Sequence, residues 1–183
     1  MKIAETERVV LREMTAEDAE FVLDLLNQPS FIKYIGDRGV RSIEAARDFI
    51  ENRYRASYRE HGYGLYTVTL KDEVSTENRK SKTENRIGIC GFVKRDYLSD
   101  PDIGFAFLPA FEGKGYAFEA ASAAMRYGRD VLRFRRVLAI TTLDNDSSGK
   151  LLGRLGFRCD GEIENENEKL KLYSAEMKSF SDK

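Results

Sequence analysis

The stretch "EGKGYAF", residues 112 to 118, sets Gly113, Lys114 and Gly115 directly after a β-like run and directly before an alanine-rich segment. Glycines at such a junction let the backbone turn its N–H groups inward. A helix that begins at once adds unpaired donors and the positive end of its dipole. That combination suits a phosphate or a pyrophosphate. Two common phosphate motifs do not fit. A P-loop needs four residues between its first glycine and Gly-Lys, then Ser or Thr for magnesium, whereas here Gly115 follows Lys114. The dinucleotide fingerprint is met at Gly113 and Gly115 but finds Phe118 where close helix packing demands a small side chain. On these residues alone, a tight turn with a well-packed helix and no ligand stays open. His61 is the chain's single histidine, so no metal-ligand spacing exists and no metal is expected. At a helix end its role reads as structural.

The elements that must hold this turn follow from periodicity. "RVVLREMTAEDAEFVLDLL" reads as a strand, then Thr15 as N-cap with Asp18 three residues on, then a helix burying Phe21, Val22, Leu25 and Leu26 and ended by Pro29. Ser42 caps a long second helix, "IEAARDFIENRYRASYRE", that stops before Gly62. The β-like runs "YGLYTVTL" and "IGICGFV" flank a polar loop at 71–86, far longer than a hairpin needs, which reads as filler with a functional lid as the alternative. "DIGFAFL" is a third β-run, closed by Pro109. The helix after the glycines carries Ala117, Ala120, Ala121, Ala124, Met125 and Gly128 on one face, small enough for close approach to a sheet. "VLAITT", "SSGKLLGRLGF" and "EKLKLYSAEM" complete the chain as strand, short helix and strand. The order β-α-α-β-β-β-α-β-α-β implies a mixed central sheet with helices on its faces, in one domain over residues 1–183.

Charge narrows the partners. The 30 Lys and Arg nearly cancel the 31 Asp and Glu, so no domain-wide positive field exists to hold nucleic acid or an anionic membrane. No apolar run approaches the roughly 20 residues that span a bilayer, and "MKIAETERVV" lacks a signal-peptide core. With Cys90 and Cys159 far apart, a reducing, cytoplasmic setting is expected.

Taken jointly, "DIGFAFLPAFEGKGYAFEAASAAMRYG" and "NDSSGKLLGRLGF" resemble the GNAT superfamily of acetyl-CoA-dependent N-acetyltransferases, and within it the ribosomal-protein serine and alanine N-terminal acetyltransferases. The likeness extends to the opening "RVVLREMTAEDAEFVLDLL" and to "SIEAARDFI". It implies a mostly antiparallel sheet splayed open beside "DIGFAFL", flanked by helices on both faces, with the pantetheine arm of acetyl-CoA in the gap. Backbone groups of Phe107 and Leu108 would pair with that arm. The N–H groups of Gly113, Lys114, Gly115, Tyr116, Ala117 and Phe118 would take the pyrophosphate, and Asn145 would contact the arm near the sulfur. Asp102, where the family's glutamate stands, would act as base through a water, and Ser148 as acid, with Tyr173 and Tyr116 as alternatives. A structural part remains open for both, as a turn residue and a helix cap. The family usually has Gln or Arg where this chain has Glu112, an acid beside a pyrophosphate. Lys150, Arg154 or the run "RFRR" could meet the coenzyme's 3′-phosphate.

Acetyl transfer needs a neutral amine, a polarised carbonyl and a thiolate able to leave. A protein α-amino group, with pKa about 7.7 to 8.0, is roughly a tenth neutral at pH 7, whereas a lysine-type amine is neutral about once in 2,500 molecules. An N-terminal acceptor therefore asks less of the base. Loss of one oxyanion donor costs about 100-fold or more in rate, and a backbone N–H near Phe107 is the candidate. The expectation is an N-acetyltransferase, monomeric or homodimeric, that moves an acetyl group to a primary amine by direct attack, with the acceptor left open between a protein N-terminus, as the resemblance suggests, and a small amine. The alternatives are a polyamine or aminoglycoside acetyltransferase, a non-catalytic acyl-CoA-binding module, and an interaction domain without a coenzyme site.

Overall fold

A computed structural model describes residues 1–71, 85–166 and 168–177. Among these, eight strands form one sheet in the order β1-β2-β3-β4-β5-β6-β8-β7. The strands are β1 (Lys2–Glu5), β2 (Val9–Arg12), β3 (Leu65–Leu70), β4 (Arg86–Val93), β5 (Asp102–Phe107), β6 (Arg136–Thr142), β7 (Arg158–Asn165) and β8 (Glu168–Glu176). Every neighbouring pair is antiparallel except β5 and β6, which run parallel and meet at one register position, Asp102 with Leu138. Beyond that point the sheet divides into a β1–β5 half and a β6–β8–β7 half.

The helices are α1 (Ala19–Leu26), α2 (Pro29–Tyr34), α3 (Ile43–Phe49), α4 (Ala56–His61), α5 (Tyr116–Asp130) and α6 (Asp146–Arg154). Asp18 accepts from the Thr15 N–H at 2.9 Å, so the expected capping pair exists and opens a 3-10 turn into α1. Ser42 accepts from the Ala45 N–H, and Gly62 ends the long helical stretch at φ 76, a left-handed position natural to glycine. Between them α3 and α4 are joined by a π-helical segment, Ile50–Arg55, that the 3.6-residue period does not reveal.

Two cores flank the sheet. On one side α1, α3 and the start of the π-helical segment cover Ile89 with Phe21, Val22, Ala46 and Ile50. On the other, α5 lies over Cys90, Phe92, Ile103 and Phe107 through Ala120, Ala121, Ala123 and Ala124. The small-residue stripe is needed for this approach. A Cβ on Gly128 would come within 2.7 Å of the Phe92 ring.

The sequence reading placed the main elements but omitted three. β1 is four residues long, α2 begins at the proline expected only to end α1, and β7 is so exposed and charged that its pairing with β8 alone reveals it. Most of the polar loop at 71–86 lies outside the described residues.

Candidate functional site

The opening in the sheet is defined by which backbone groups are used. Leu108 donates its N–H to Ile87 O on β4, and Leu138 donates to Pro101 O. In an antiparallel ladder both polar groups of one residue face the same neighbour, and the direction alternates along the strand. Leu108 and Ala106 therefore face β4, whereas Phe105 and Phe107 point their N–H and C=O groups into the gap toward β6. Leu108 has its N–H on Ile87 and its carbonyl accepts from the Phe111 N–H, whereas the backbone groups of Phe105 and Phe107 face the gap. Gly88 helps place Phe107, for a Cβ there would come within 2.5 Å of the Phe107 ring.

Because β5 and β6 are parallel, their C-terminal ends share the open side of the gap. From β5 the chain passes through a 3-10 turn, Pro109–Phe111, into the glycine turn. Gly113 (φ 70) and Gly115 (φ 83) both adopt the left-handed conformation, and Gly115 sits at the N-cap of α5. None of the N–H groups of residues 113 to 118 reaches a protein acceptor among the described residues. Six consecutive donors thus stand free at the mouth of the gap, four of them the first-turn donors that every helix leaves unpaired. Glu112 is solvent-exposed, and the Lys114 ammonium folds back to Ala110 O at 2.8 Å.

On the facing side, Asn145 caps α6 by accepting from the Ser148 N–H at 3.1 Å. Tyr173, buried on β8, brings its hydroxyl under α6. A Cβ on Gly149 would lie 2.9 Å from it. Tyr116 is drawn to the other flank of α5, where the Arg8 guanidinium lies 4.6 Å from its ring centroid. Of the two tyrosines, Tyr173 is the one whose hydroxyl reaches α6, at Gly149, the residue after Ser148. Arg154 stacks on Phe118 at 4.3 Å, joining α6 to the start of α5. The "RFRR" run lies at the other end of α5. It follows the C-terminus of α5, about 22 Å along the helix from the turn, and Arg136 is engaged with Asp160 and Glu176.

Asp102 lies at the apex of the opening, 1% exposed. Strand alternation puts it on the face of Ala106, which packs on the α1–α3 core, whereas Ile103 and Phe107 face α5. Its carboxylate accepts from Arg95 Nε at 3.0 and 3.2 Å. Burial pushes Asp102 up to about 6, and the Arg95 charge pulls against that rise. A carboxyl in this state changes charge near neutrality, which a proton acceptor requires.

Three residues were missed by sequence reasoning. Arg95 carried a weak signal in its closeness to Asp102. Arg8 carried none, since its partners lie over 100 residues away. Thr141, on β6, has a buried hydroxyl with no partner among the described residues. It shares a strand face with Val137 and Ala139, against the α5 core. Nothing in "VLAITT" marks that hydroxyl as unsatisfied. Among the described residues no His, Cys, Asp and Glu group has the arrangement to hold a metal ion, and no helix is long and apolar enough to cross a membrane.

The family profile described as an acetyltransferase (GNAT) domain matches residues 8–158. An N-acetyltransferase termed p20 from Bacillus licheniformis is 30% identical over 162 residues, covering 88% of this chain and 85% of that protein. The ribosomal protein uS5 alanine N-acetyltransferase of Escherichia coli is 36% identical over 77 residues, 41% of this chain and 40% of that protein. The spermidine N(1)-acetyltransferase of the same organism is 24% identical over 159 residues, 86% and 77%. Among solved structures, a GNAT-family acetyltransferase from Bacillus anthracis superposes with TM-score 0.74 at 26% identity, covering 97% of this chain and 99% of that one. The ribosomal L7/L12 alpha-N-protein acetyltransferase RimL, in complex with coenzyme A, shares the fold with TM-score 0.78 at 17% identity, covering 97% and 98%.

Proposed function

The chain belongs to the GNAT acetyltransferase family, and we propose that it transfers the acetyl group of acetyl-CoA to a primary amine, by direct attack, at the gap between β5 and β6. The observation that carries this reading is the run of six free N–H donors at residues 113 to 118, set at the open end of a sheet whose β5 edge has unpaired backbone groups. A diphosphate fits the donors, and a pantetheine arm fits the edge, with Phe105, Phe107 and the Thr141 hydroxyl supplying hydrogen-bond partners. The relatives' coenzyme would then supply the activated thioester, and this chain's groups would orient it.

In this reading the amine arrives from the α1–α3 face, on which Asp102 stands, and the thioester from the α5 face. Asp102 takes the proton of the attacking nitrogen through a water, since its buried carboxylate is tied to Arg95. A Phe107 N–H stabilises the oxyanion. The departing thiolate, whose thiol resembles cysteine with pKa about 8.5, needs little protonation. Asn145, Ser148 and Tyr173 stand where it would leave, and Ser148 or Tyr173 could supply a proton.

For the acceptor we favour a protein N-terminus over a polyamine. Arg38 is pushed down chiefly by burial and further by the charges of Arg95 and Arg53, against the pull of Tyr54, so Arg38 lies within electrostatic reach of Arg95, the residue that holds Asp102. An open groove of about 530 Å³ at Arg38 and Arg53 is lined further by Ala45, Phe49, Asn52, Asp37 and Asp48. Asp37 is paired with Arg41 at 2.6 Å. A polycation would meet repulsion there, whereas an extended neutral or acidic peptide would not. Thiol release from acetyl-CoA against peptides with varied first residues, polyamines and aminoglycosides tests this. Turnover confined to peptides is the expected result, and equal or better turnover of spermidine overturns the acceptor assignment.

A further inference from the structure

The glycines that permit the turn also make it ambiguous. A flip of the peptide linking Lys114 to Gly115 changes ψ of Lys114 and φ of Gly115, and Gly115, at φ 83, takes either sign of φ at little steric cost. In a trans peptide the C=O and N–H point in opposite directions. One orientation offers the Gly115 N–H to an anion, and the flipped one offers the Lys114 carbonyl, which would repel it. Something outside the turn must choose.

Arg8, in the connection between β1 and β2, makes that choice. Its Nη1 donates to the Lys114 carbonyl at 3.1 Å, which turns the Gly115 N–H the other way. Its Nη2 lies 3.3 Å from where a Gly115 Cβ would be. The guanidinium is itself held by Glu119, one turn into α5, through Nε at 2.7 Å and Nη2 at 2.6 Å. Glu119 also accepts from the Arg8 N–H at 2.9 Å and the Thr6 hydroxyl at 2.5 Å. Burial alone would raise the Glu119 carboxyl, but these hydrogen bonds and the Arg8 charge outweigh it and hold it below its ordinary range. The Tyr116 ring lies beneath the guanidinium. We propose that Arg8 is a positioning residue for the coenzyme, a brace locked by Glu119 that fixes the Lys114–Gly115 peptide with its N–H toward the diphosphate. Because Arg8 and Glu119 neutralise each other, the brace acts by orientation rather than by adding positive charge.

That distinction makes the inference testable, and it rests on the reading of the turn as a diphosphate site. Steady-state kinetics of wild type, Arg8→Ala and Glu119→Gln are compared with acetyl-CoA and with S-acetyl-N-acetylcysteamine, a donor that lacks the diphosphate. Arg8→Ala should raise KM for acetyl-CoA about 10-fold, about the worth of one charge-assisted hydrogen bond. Its kcat and acceptor KM should hold, and its kcat/KM with the short donor should equal that of wild type. Glu119→Gln frees the Arg8 charge while breaking its lock, so a brace predicts a raised KM and a charge effect a lowered one. Equal losses with both donors would make Arg8 a general support of the fold and overturn the inference. So would an unchanged KM for acetyl-CoA, or a lowered KM in Glu119→Gln. Calorimetry of wild type with coenzyme A separates the two levels: no binding there removes the diphosphate reading and the brace with it, whereas wild-type binding with unaffected variants removes the brace alone.

Discussion

The two ends of β5 meet different demands with different chemistry. At its C-terminal end the glycine turn is exposed and presents main-chain N–H groups with no side chain in the way. At its N-terminal end Asp102 is buried and presents one side-chain charge, moderated by Arg95. Backbone donors suit a bound anion because they cannot titrate and their direction is fixed by the fold. A proton acceptor must titrate, and burial is what brings an aspartate into the useful range. Each end borrows an arginine from elsewhere in the chain, Arg8 to orient a peptide and Arg95 to restrain a pKa.

The largest test of this contrast is at the Asp102 end. Asp102→Asn should lower kcat by about 100- to 10,000-fold while calorimetry shows unchanged coenzyme affinity, since the proposed diphosphate contacts lie at the other end of the strand. In wild type, kcat/KM should rise as pH passes about 6, because Asp102 holds its proton below that value and is ionised above it. The Asn variant should lack that limb. The same upward displacement carries a stability consequence of opposite sense. The native state holds this proton more tightly than the unfolded chain, so the group's stabilising contribution is complete at pH below the ordinary carboxylate range and is lost as pH rises through about 6. A limb near 6 that survives in Asp102→Asn belongs to another group.

At the opposite end, Gly115→Val should raise the dissociation constant for coenzyme A by about 10-fold or more, because holding a branched residue at φ 83 costs about 1–2 kcal/mol or more and crowds Arg8. The kcat at saturating donor should change much less. A matching loss of kcat would mean that the turn also places the acetyl group, erasing the separation between the ends.

How far these ends could be read in advance differs in the same way. The turn was legible because glycine spacing records a backbone conformation locally. Its brace was not, because Arg8 meets Lys114 and Glu119 only once β1, β2 and α5 are packed. Asp102 could be located, but neither its depth nor its partner follows from "SDPDIG", and a solvated turn residue would have the same spelling. In the fold, α5 and the inner strands announced themselves by small-residue or apolar patterning. β7 did not, since it lies at the sheet edge with most of its residues exposed and thus has no buried face to impose alternation. The single β5–β6 pairing that creates the gap is likewise a matter of register, which no local pattern encodes.

Arg95→Met sharpens the Asp102 end. Without the cation, the carboxylate loses the interaction that holds its pKa down, so the acid limb of kcat/KM should move up by about 1 pH unit. At pH 6 this amounts to a loss of several-fold that recovers by pH 8. A loss independent of pH would assign Arg95 to acceptor binding instead.

The smallest expected effect lies midway between the ends, at Thr141. Its hydroxyl is buried and unpartnered among the described residues, and such a group costs about 1–3 kcal/mol in the folded protein. Thr141→Val keeps the shape and removes the polar atom, so the protein without coenzyme should gain about 1 kcal/mol of stability by denaturant unfolding. If the hydroxyl is retained to bond an amide of the pantetheine arm, the same change should weaken coenzyme A binding by about 3- to 10-fold, one hydrogen bond's worth. The two effects must oppose each other. Thermal shift on adding coenzyme A reads both, with a higher starting Tm and a smaller ligand-induced rise in the valine variant. A higher Tm with an undiminished rise would make the hydroxyl a buried cost with no ligand to meet, and would move the arm off that face of β6.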